Sequence, residues 1–466
     1  MRDVRGFCDD PPPRRPDPDA GAEAFAAFAA ALFRWELRFR GIGVTSKGTA
    51  HRVRQVIVEA VDREAAVRAL RQAETTVGGW ETPEEGRWSV LFVSDDSERR
   101  SAGRPVAAER ALETLRSAGV RAWLNTVYFA QGLSGSPAFL GNPAFLGNPA
   151  FLGNPAFLGN PNMSTAVPAE APAPWPERPP LDGGPTVAVF DTGLATTERQ
   201  GVRQAAHPDL RHVTVHTPWD TSEWFGDGEV LHAADEDLTD ENGDGYLDRQ
   251  AGHGTFITGI VRRVAPDVEI QVEGCLTSFG DGDDLSISRS IQEFRARLAG
   301  RSLDGVVINM SFSGAADTRP PLLSAEIEAL TAEGAVVVAA AGNDGRCAPT
   351  WPAAHRDVIG VGALDCGGRA WFSNFGPWVD AAAPAVDVIS TFFDGDFAAD
   401  MVGGHDPDRF RGFARWSGTS FAAPKVAAAI ADHMARTGCE ARQAAEAVVR
   451  RSDLFRLPGL GTVVNR

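Results

Sequence analysis

From residue 184 onward the chain alternates two hydrophobic rhythms. Short runs that are apolar almost without interruption, at 186–190, 268–273, 305–310, 335–340 and 358–363, read as strands buried on both faces. Residues 386–390 carry the same signature. Between them lie stretches of helical period at 253–263, 284–298 and 324–332, and an Ala-rich stretch at 426–435 reads as a buried helix. Asp284 is expected to cap the second of these helices. Strand and helix in turn predict an α/β fold, a parallel sheet with helices on both faces.

Upstream the pattern changes. Residues 53–61 read as a strand, 62–73 as a helix with Ala65, Ala66, Val67 and Leu70 inward, and 75–80 and 87–93 as two strands. Residues 107–118 form an amphipathic helix and 120–129 a last strand. The order is β-α-β-β-α-β, the split βαβ unit of a small ferredoxin-like α+β domain.

The stretch between the two regions opposes both rhythms. Pro-Ala-Phe-Leu-Gly-Asn begins at Pro137, Pro143, Pro149 and Pro155, and Pro161-Asn162 opens a fifth copy. Four six-residue copies bury too little to make a β-helix. Proline and glycine in every copy disfavour helix and sheet ladder, so an extended linker is expected, stiffened further by the prolines up to Pro180. The expected organisation is a disordered or short helical segment at 1–45, in which Phe25, Phe28 and Leu32 share a helical face. An α+β domain at 46–132, a repeat linker at 133–183 and an α/β domain at 184–466 follow.

Composition narrows the classes. A formal net charge of −17 over 466 residues argues against nucleic acid or an anionic membrane as partner. The five cysteines are scattered and form no C-x-x-C, which speaks against zinc or a disulfide framework and suits a reducing compartment, with a Cys347–Cys366 bridge as the alternative. The N-terminal apolar run is too short to span a bilayer, and acidic residues precede it where an export signal carries positive charge. A cytoplasmic location is therefore expected, export by another route being the alternative.

Four polar residues stand where an α/β sheet puts its chemistry, at strand ends and helix starts. Asp191 closes Val-Ala-Val-Phe-Asp, His253 opens a helix in Gly-His-Gly-Thr, and Asn343 closes Ala-Ala-Ala-Gly-Asn. Ser420 sits in Gly-Thr-Ser-Phe-Ala-Ala-Pro at the start of the Ala-rich helix. A carboxylate can orient an imidazole, which can activate a hydroxyl, and the order Asp, His, Ser is one of the known chain orders of that arrangement. A fifth motif, Asn309-Met310-Ser311-Phe312-Ser313-Gly314, ends another strand.

With these motifs in this order, the region from about 186 to 435 resembles the peptidase domain of the subtilisin-like serine proteases. The resemblance implies that Ser420 attacks a peptide carbonyl, His253 transfers the proton and Asp191 holds the imidazole. It implies an oxyanion hole from the Asn343 amide and the Ser420 backbone N–H, and no required cofactor. Ser311, Phe312, Ser313 and Gly314, with Ala341 and Gly342, would line the substrate groove. Their small and apolar character suggests a large apolar residue before the scissile bond. Two positions depart from the family pattern: Lys425, where His or Arg is usual, and Ser313, where glycine is common.

Residues 235–248 are acidic. Asp240, Asn242, Asp244 and Asp248 match the early positions of a calcium loop, with Gly245 at the sixth, but Ala251 stands at the twelfth where a bidentate carboxylate is needed. Calcium, a solvated acidic loop, and a negative wall beside the cleft are the three readings.

The partner expected is a protein or peptide substrate. The chain's own 46–132 domain reads either as a propeptide-like intramolecular inhibitor and folding aid or as a substrate-recruiting module. The repeat reads as an inert spacer or as a tethered substrate, offering Phe139 and Leu140 to the groove. A silent binding module of the same fold, or a dedicated intracellular processing protease, are the competing functions.

Overall fold

The computed structural model describes residues 40–82, 86–94, 107–130, 166–172, 179–199, 202–214, 237–241, 247–397 and 408–465, with isolated positions 31 and 37. The expected N-terminal disorder and helix, the repeat, and Asn242 and Asp244 lie outside the described residues.

The first unit comprises β1 (Ile42–Val44), β2 (Ala50–Glu59), α1 (Arg63–Gln72), β3 (Thr76–Glu81), β4 (Trp88–Ser94), α2 (Ala107–Ser117) and β5 (Ala122–Ala130). Its antiparallel sheet runs β5-β2-β4-β3. Strand alternation divides its side chains between two layers. Val56, Val58, Leu91 and Val93 pack against α1 and α2 through Ala66, Leu70, Ala111 and Leu115. Ile57, Trp88 and Val90 face the other way, onto Leu285 and Leu322 of the second unit. The apolar outer face of this sheet is therefore covered by the rest of the chain.

Strand β6 (Val167–Pro168) leads into the second unit, which opens with β7 (Thr186–Asp191) and the hairpin β8 (Thr196–Arg199) and β9 (Val202–Ala205). Next come α3 (His253–Val264), β10 (Glu269–Gly274), β11 (Asp281–Asp283) and α4 (Asp284–Arg297). Then follow β12 (Val306–Met310), β13 (Phe312–Ser313), α5 (Pro321–Ala332), β14 (Val336–Ala340) and β15 (Val358–Asp365). The chain ends with β16 (Gly368–Arg369), β17 (Ala381–Pro384), β18 (Val388–Phe397), β19 (Asp408–Trp416), α6 (Ala423–Thr437), α7 (Ala441–Ala445), β20 (Arg456–Leu457) and β21 (Gly461–Val463).

The main sheet has the order β10-β7-β12-β14-β15-β17-β21-β20, parallel from β10 through β21. Alternate strand residues enter opposite layers. Val187, Val189, Val307 and Val338 meet α3 and the buried alanines of α6. Ala188, Phe190, Ile308, Met310 and Val337 meet α4 and α5. Helices cover both faces, which is why the strands read as unbroken apolar runs.

Two expectations are corrected. Residues 386–390 do not join the parallel sheet; β18 pairs antiparallel with β19, which pairs with β6, in a sheet of its own. An apolar run alone does not report its partner. Asp283, rather than Asp284, caps α4, accepting from the backbone N–H groups of Leu285 and Ser286 at 3.1 Å, and Asp284 is the first helical residue.

Candidate active site

The parallel strands deliver Asp191, Ser311 and Asn343 to the carboxyl edge of the sheet. Asp191, the last residue of β7, is fully buried. Its Oδ1 accepts from His253 Nδ1 at 2.6 Å and from the Thr192 N–H at 2.8 Å. Carboxylate and imidazole thus meet in a site shut off from water.

His253 is the first residue of α3, and the start of that helix is held by a side chain of the acidic stretch, for which the sequence leaves calcium, a solvated loop and a negative wall open. Asp237 is buried. Its Oδ1 accepts from the Gly252 N–H at 2.8 Å and the Thr192 hydroxyl at 3.0 Å. Its Oδ2 accepts from the Thr255 hydroxyl at 2.8 Å and the Thr255 N–H at 3.1 Å. The Thr192 hydroxyl in turn accepts from the Gly254 N–H at 2.8 Å. Asp237 therefore links the loop after Asp191 to both sides of His253. Burial pushes its carboxyl up to about 7, against the pull of these bonds. Gly254 is required by contact, since a Cβ there would stand 2.1 Å from the Gly193 carbonyl oxygen. The His253 ring lies edge-on to Trp416 at 5.5 Å and tilted on Phe421 at 5.6 Å.

Ser420 occupies a 3-10 turn, Thr419–Phe421, just ahead of α6, and is buried. Its hydroxyl donates to the Ser311 carbonyl at 2.7 Å, and the Ser311 hydroxyl donates to the Ser420 carbonyl at 2.9 Å. His253 Nε2 has no hydrogen-bond partner among the described residues. The Asn343 side-chain oxygen accepts from the Thr419 N–H at 2.9 Å and the Thr419 hydroxyl at 2.8 Å. That anchors the carbonyl end of the amide to the residue before Ser420 and turns its NH2 end the other way.

The residues expected to line a groove are held by bonds of their own. Ala341 presents its carbonyl to the Thr350 hydroxyl at 2.6 Å and to Asn374 Nδ2 at 2.9 Å, and Gly342, at φ 102°, donates to the Thr419 hydroxyl at 3.1 Å. Gly314 exchanges two backbone bonds with Trp351, at 2.8 and 2.9 Å. Between the short strands β11 and β13 runs β5, the last strand of the first unit. Phe312 faces Ala130 and Ser313 faces Phe129 on one side. Asp281 faces Phe129, Gly282 faces Tyr128 and Asp283 faces Val127 on the other.

Comparison with known proteins adds the decisive observation: the Subtilase family matches residues 182–452, more than half of the chain. The chain belongs to the subtilase family. It is 32% identical over 276 residues to a thermophilic serine proteinase of Bacillus sp. (strain AK1), covering 56% of this chain and 56% of that protein. It is 29% identical over 293 residues to thermitase of Thermoactinomyces vulgaris, covering 60% of this chain and 84% of that one. A cold adapted subtilisin-like serine proteinase of known structure aligns with a TM-score of 0.45 at 21% identity, over 65% of this chain and 97% of its own. The chain spans little more than half the length of the first of these relatives.

In this subtilase Asp248, the ninth position of the calcium-loop match, is held by its neighbours in the fold. It is buried, and its Oδ2 accepts from the Ser278 hydroxyl at 2.5 Å and the Glu241 N–H at 2.6 Å. Burial pushes its carboxyl up to about 8, against the pull of these two bonds. Among the described residues, no three His, Cys, Asp or Glu side chains come together as a metal site. Cys347 and Cys366 are both free thiols, which removes the bridge considered between them. Lys425 donates to the Pro384 carbonyl at 2.8 Å, holding β17 against α6.

Besides Asp237, sequence reading missed Asn374. Its oxygen accepts from the Asp344 and Arg346 N–H groups at 3.1 and 3.0 Å, holding the turn after Asn343. A turn asparagine gives no signal of its partners until the chain is folded.

Proposed function

We propose that this subtilase is a serine endopeptidase acting on proteins or peptides through Asp191, His253 and Ser420. The observation that carries the reading is the buried 2.6 Å Asp191–His253 contact at the same sheet edge as Ser420. Asp191 fixes the imidazole tautomer; His253 takes the Ser420 proton and returns it to the leaving amine. The Asn343 amide and the Ser420 N–H stabilise the oxyanion. A turn of the Ser420 hydroxyl from the Ser311 carbonyl toward His253 readies it for attack, since such bonds commonly tighten only with substrate bound. No cofactor is required. The residue before the scissile bond is large and apolar, set against the small and apolar residues of 311–314 and 339–342. The test is labelling by a fluorophosphonate together with casein hydrolysis. Both occur in the wild type and neither in Ser420→Ala; a wild type that does neither is the silent binding module.

A second reading concerns the first unit. We infer that residues 46–132 act as an intramolecular inhibitor and folding aid, because β5 fills the backbone-pairing edge between β11 and β13 that an extended substrate would use. A recruiting module of an intracellular processing protease would leave that edge open. The repeat is then a spacer, or a segment the enzyme cuts after Phe or Leu; mass spectrometry of the chain beside Ser420→Ala separates the two. Cell fractionation checks the proposed cytoplasmic location.

A further inference from the structure

Tyr128 belongs to the strand that fills the cleft, yet it is among the most deeply buried large side chains of the molecule. Its ring lies 5.9 Å from Phe312 and shares an apolar cluster with Ile287 and Ile291 of α4. Gly314 keeps room for the ring, as a Cβ there would stand 3.0 Å from a Tyr128 ring carbon. The far end of this pocket is not apolar. The Tyr128 hydroxyl donates to Asp284 Oδ1 at 2.6 Å, and Asp284 is itself fully buried.

The register says which substrate position the pocket serves. Ser313 faces Phe129 and Phe312 faces Ala130. In a peptide that replaces β5, the residue facing Ser311 is the third after the one in Tyr128's place. Ser311 carries the carbonyl to which Ser420 donates, so that residue holds the carbonyl under attack. The Tyr128 pocket thus takes the fourth residue before the cut.

Resting on the peptidase reading above, we propose that Asp284 makes this enzyme select tyrosine at the fourth residue before the scissile bond. Phenylalanine fits the apolar walls equally well but takes from the buried carboxyl its one side-chain donor, leaving it backbone donors such as Leu323. Burial already pushes that carboxyl up to about 8, against the Tyr128 bond, so the group is held where an unmet partner is costly. A hydrogen bond to such a group discriminates against the analogue that lacks it, whereas apolar walls alone do not.

The test uses the full chain, incubated until its activity is steady, on succinyl-Tyr-Ala-Ala-Phe and succinyl-Phe-Ala-Ala-Phe p-nitroanilides. In the wild type kcat/KM favours the tyrosine peptide by about tenfold or more, the effect of one buried bond to a carboxyl. In Asp284→Ala the ratio falls to about one. Asp284→Asn, which keeps the volume and an acceptor, holds an intermediate ratio and supplies the reading should the alanine variant not fold. Equal cutting of both peptides by the wild type overturns the proposal while leaving the peptidase reading intact. A tyrosine preference that survives unchanged in both variants overturns the role of Asp284. Failure to cut either peptide or casein overturns the peptidase reading, and this one with it.

Discussion

Ser420 and Ser311 are joined by two crossed bonds, each hydroxyl donating to the other residue's carbonyl, at 2.7 and 2.9 Å. The pair staples the turn before α6 to the start of the groove strand. Asn309 Nδ2 donates to the Ser311 hydroxyl at 2.9 Å and orients it. The position of the proposed nucleophile is thereby tied to the strand on which substrate would lie.

Ser311→Ala removes the hydroxyl half of this staple and leaves the Ser311 carbonyl in place. We expect kcat/KM on a casein-derived peptide to fall about fivefold, the effect of a bond of about 1 kcal/mol. Asn343→Ala removes the proposed oxyanion donor and should cost about 10²–10³ in kcat with little change in KM. Ser420→Ala and His253→Ala should leave no turnover above that of the remaining site. Steady-state kinetics on all four variants checks the ranking; a Ser311→Ala loss as large as that of Asn343→Ala contradicts it.

Asp237 accepts four bonds, all from donors, so an amide in its place turns an NH2 toward at least one of them. Asp237→Asn should lower kcat about 10–100-fold through a displaced His253 while KM changes little. The pH profile is the discriminating readout. Misplacement of the imidazole shifts the acidic limb of kcat, whereas a purely structural loss lowers the midpoint of unfolding and leaves the limb where it was.

Much of this site is legible in the sequence because its chemistry is local. Asp191, His253, Asn343 and Ser420 each close or open an element whose hydrophobic rhythm is clear, and the parallel sheet brings those ends to one edge. The α+β unit is legible for the same reason. What the rhythm does not carry is pairing at a distance. Nothing in Val-Ile-Ser-Thr-Phe-Phe tells a hairpin strand from a sheet strand, so β18 was expected in the wrong sheet. Nor does an acidic run reveal that Asp237 and Asp248 are buried and bonded. The insertion of β5 between β11 and β13 depends on three segments far apart in sequence.

The docking of the first unit relies on buried ion pairs. Arg52 Nε meets Asp283 at 2.6 Å, its other arm meets Asp281 at 3.1 Å, and Arg40 meets Asp281 at 2.6 Å. Burial raises the Asp281 carboxyl, but the charges of Arg40 and Arg52 outweigh it and hold the group at about 2. A depressed carboxyl contributes stability that is present above its ordinary range near 4 and is lost as pH falls toward 2. The docked arrangement should therefore hold against this pair's titration through mild acid. Removing one partner of such a buried pair costs about 3–5 kcal/mol. Arg52→Ala should accordingly expose β5 to hydrogen exchange at neutral pH, with the exchange of β7 and β12 unchanged. Protection of β5 equal to that of the wild type rules this out.

His51 works at a higher pH and in the opposite chemical sense. It is fully buried in β2, and its Nε2 lies 3.6 Å from Glu109 in α2. Burial lowers its imidazole to about 4, with the Thr49 carbonyl pulling weakly the other way. A histidine whose folded value lies below its unfolded one near 6.5 favours the neutral form. Its stabilising effect is complete above about 6.5 and is lost as pH falls from there toward 4. A displacement of this size corresponds to on the order of 3 kcal/mol. The first unit should thus weaken between pH 7 and 4, before Asp281 begins to titrate. Denaturant unfolding of the Ser420→Ala chain, followed by pulsed hydrogen exchange of the β2 and β4 amides, reads that unit directly. The midpoint should fall steadily across this range in the His51 protein and stay nearly level in His51→Leu. A parallel fall in both would assign the acid sensitivity to other groups.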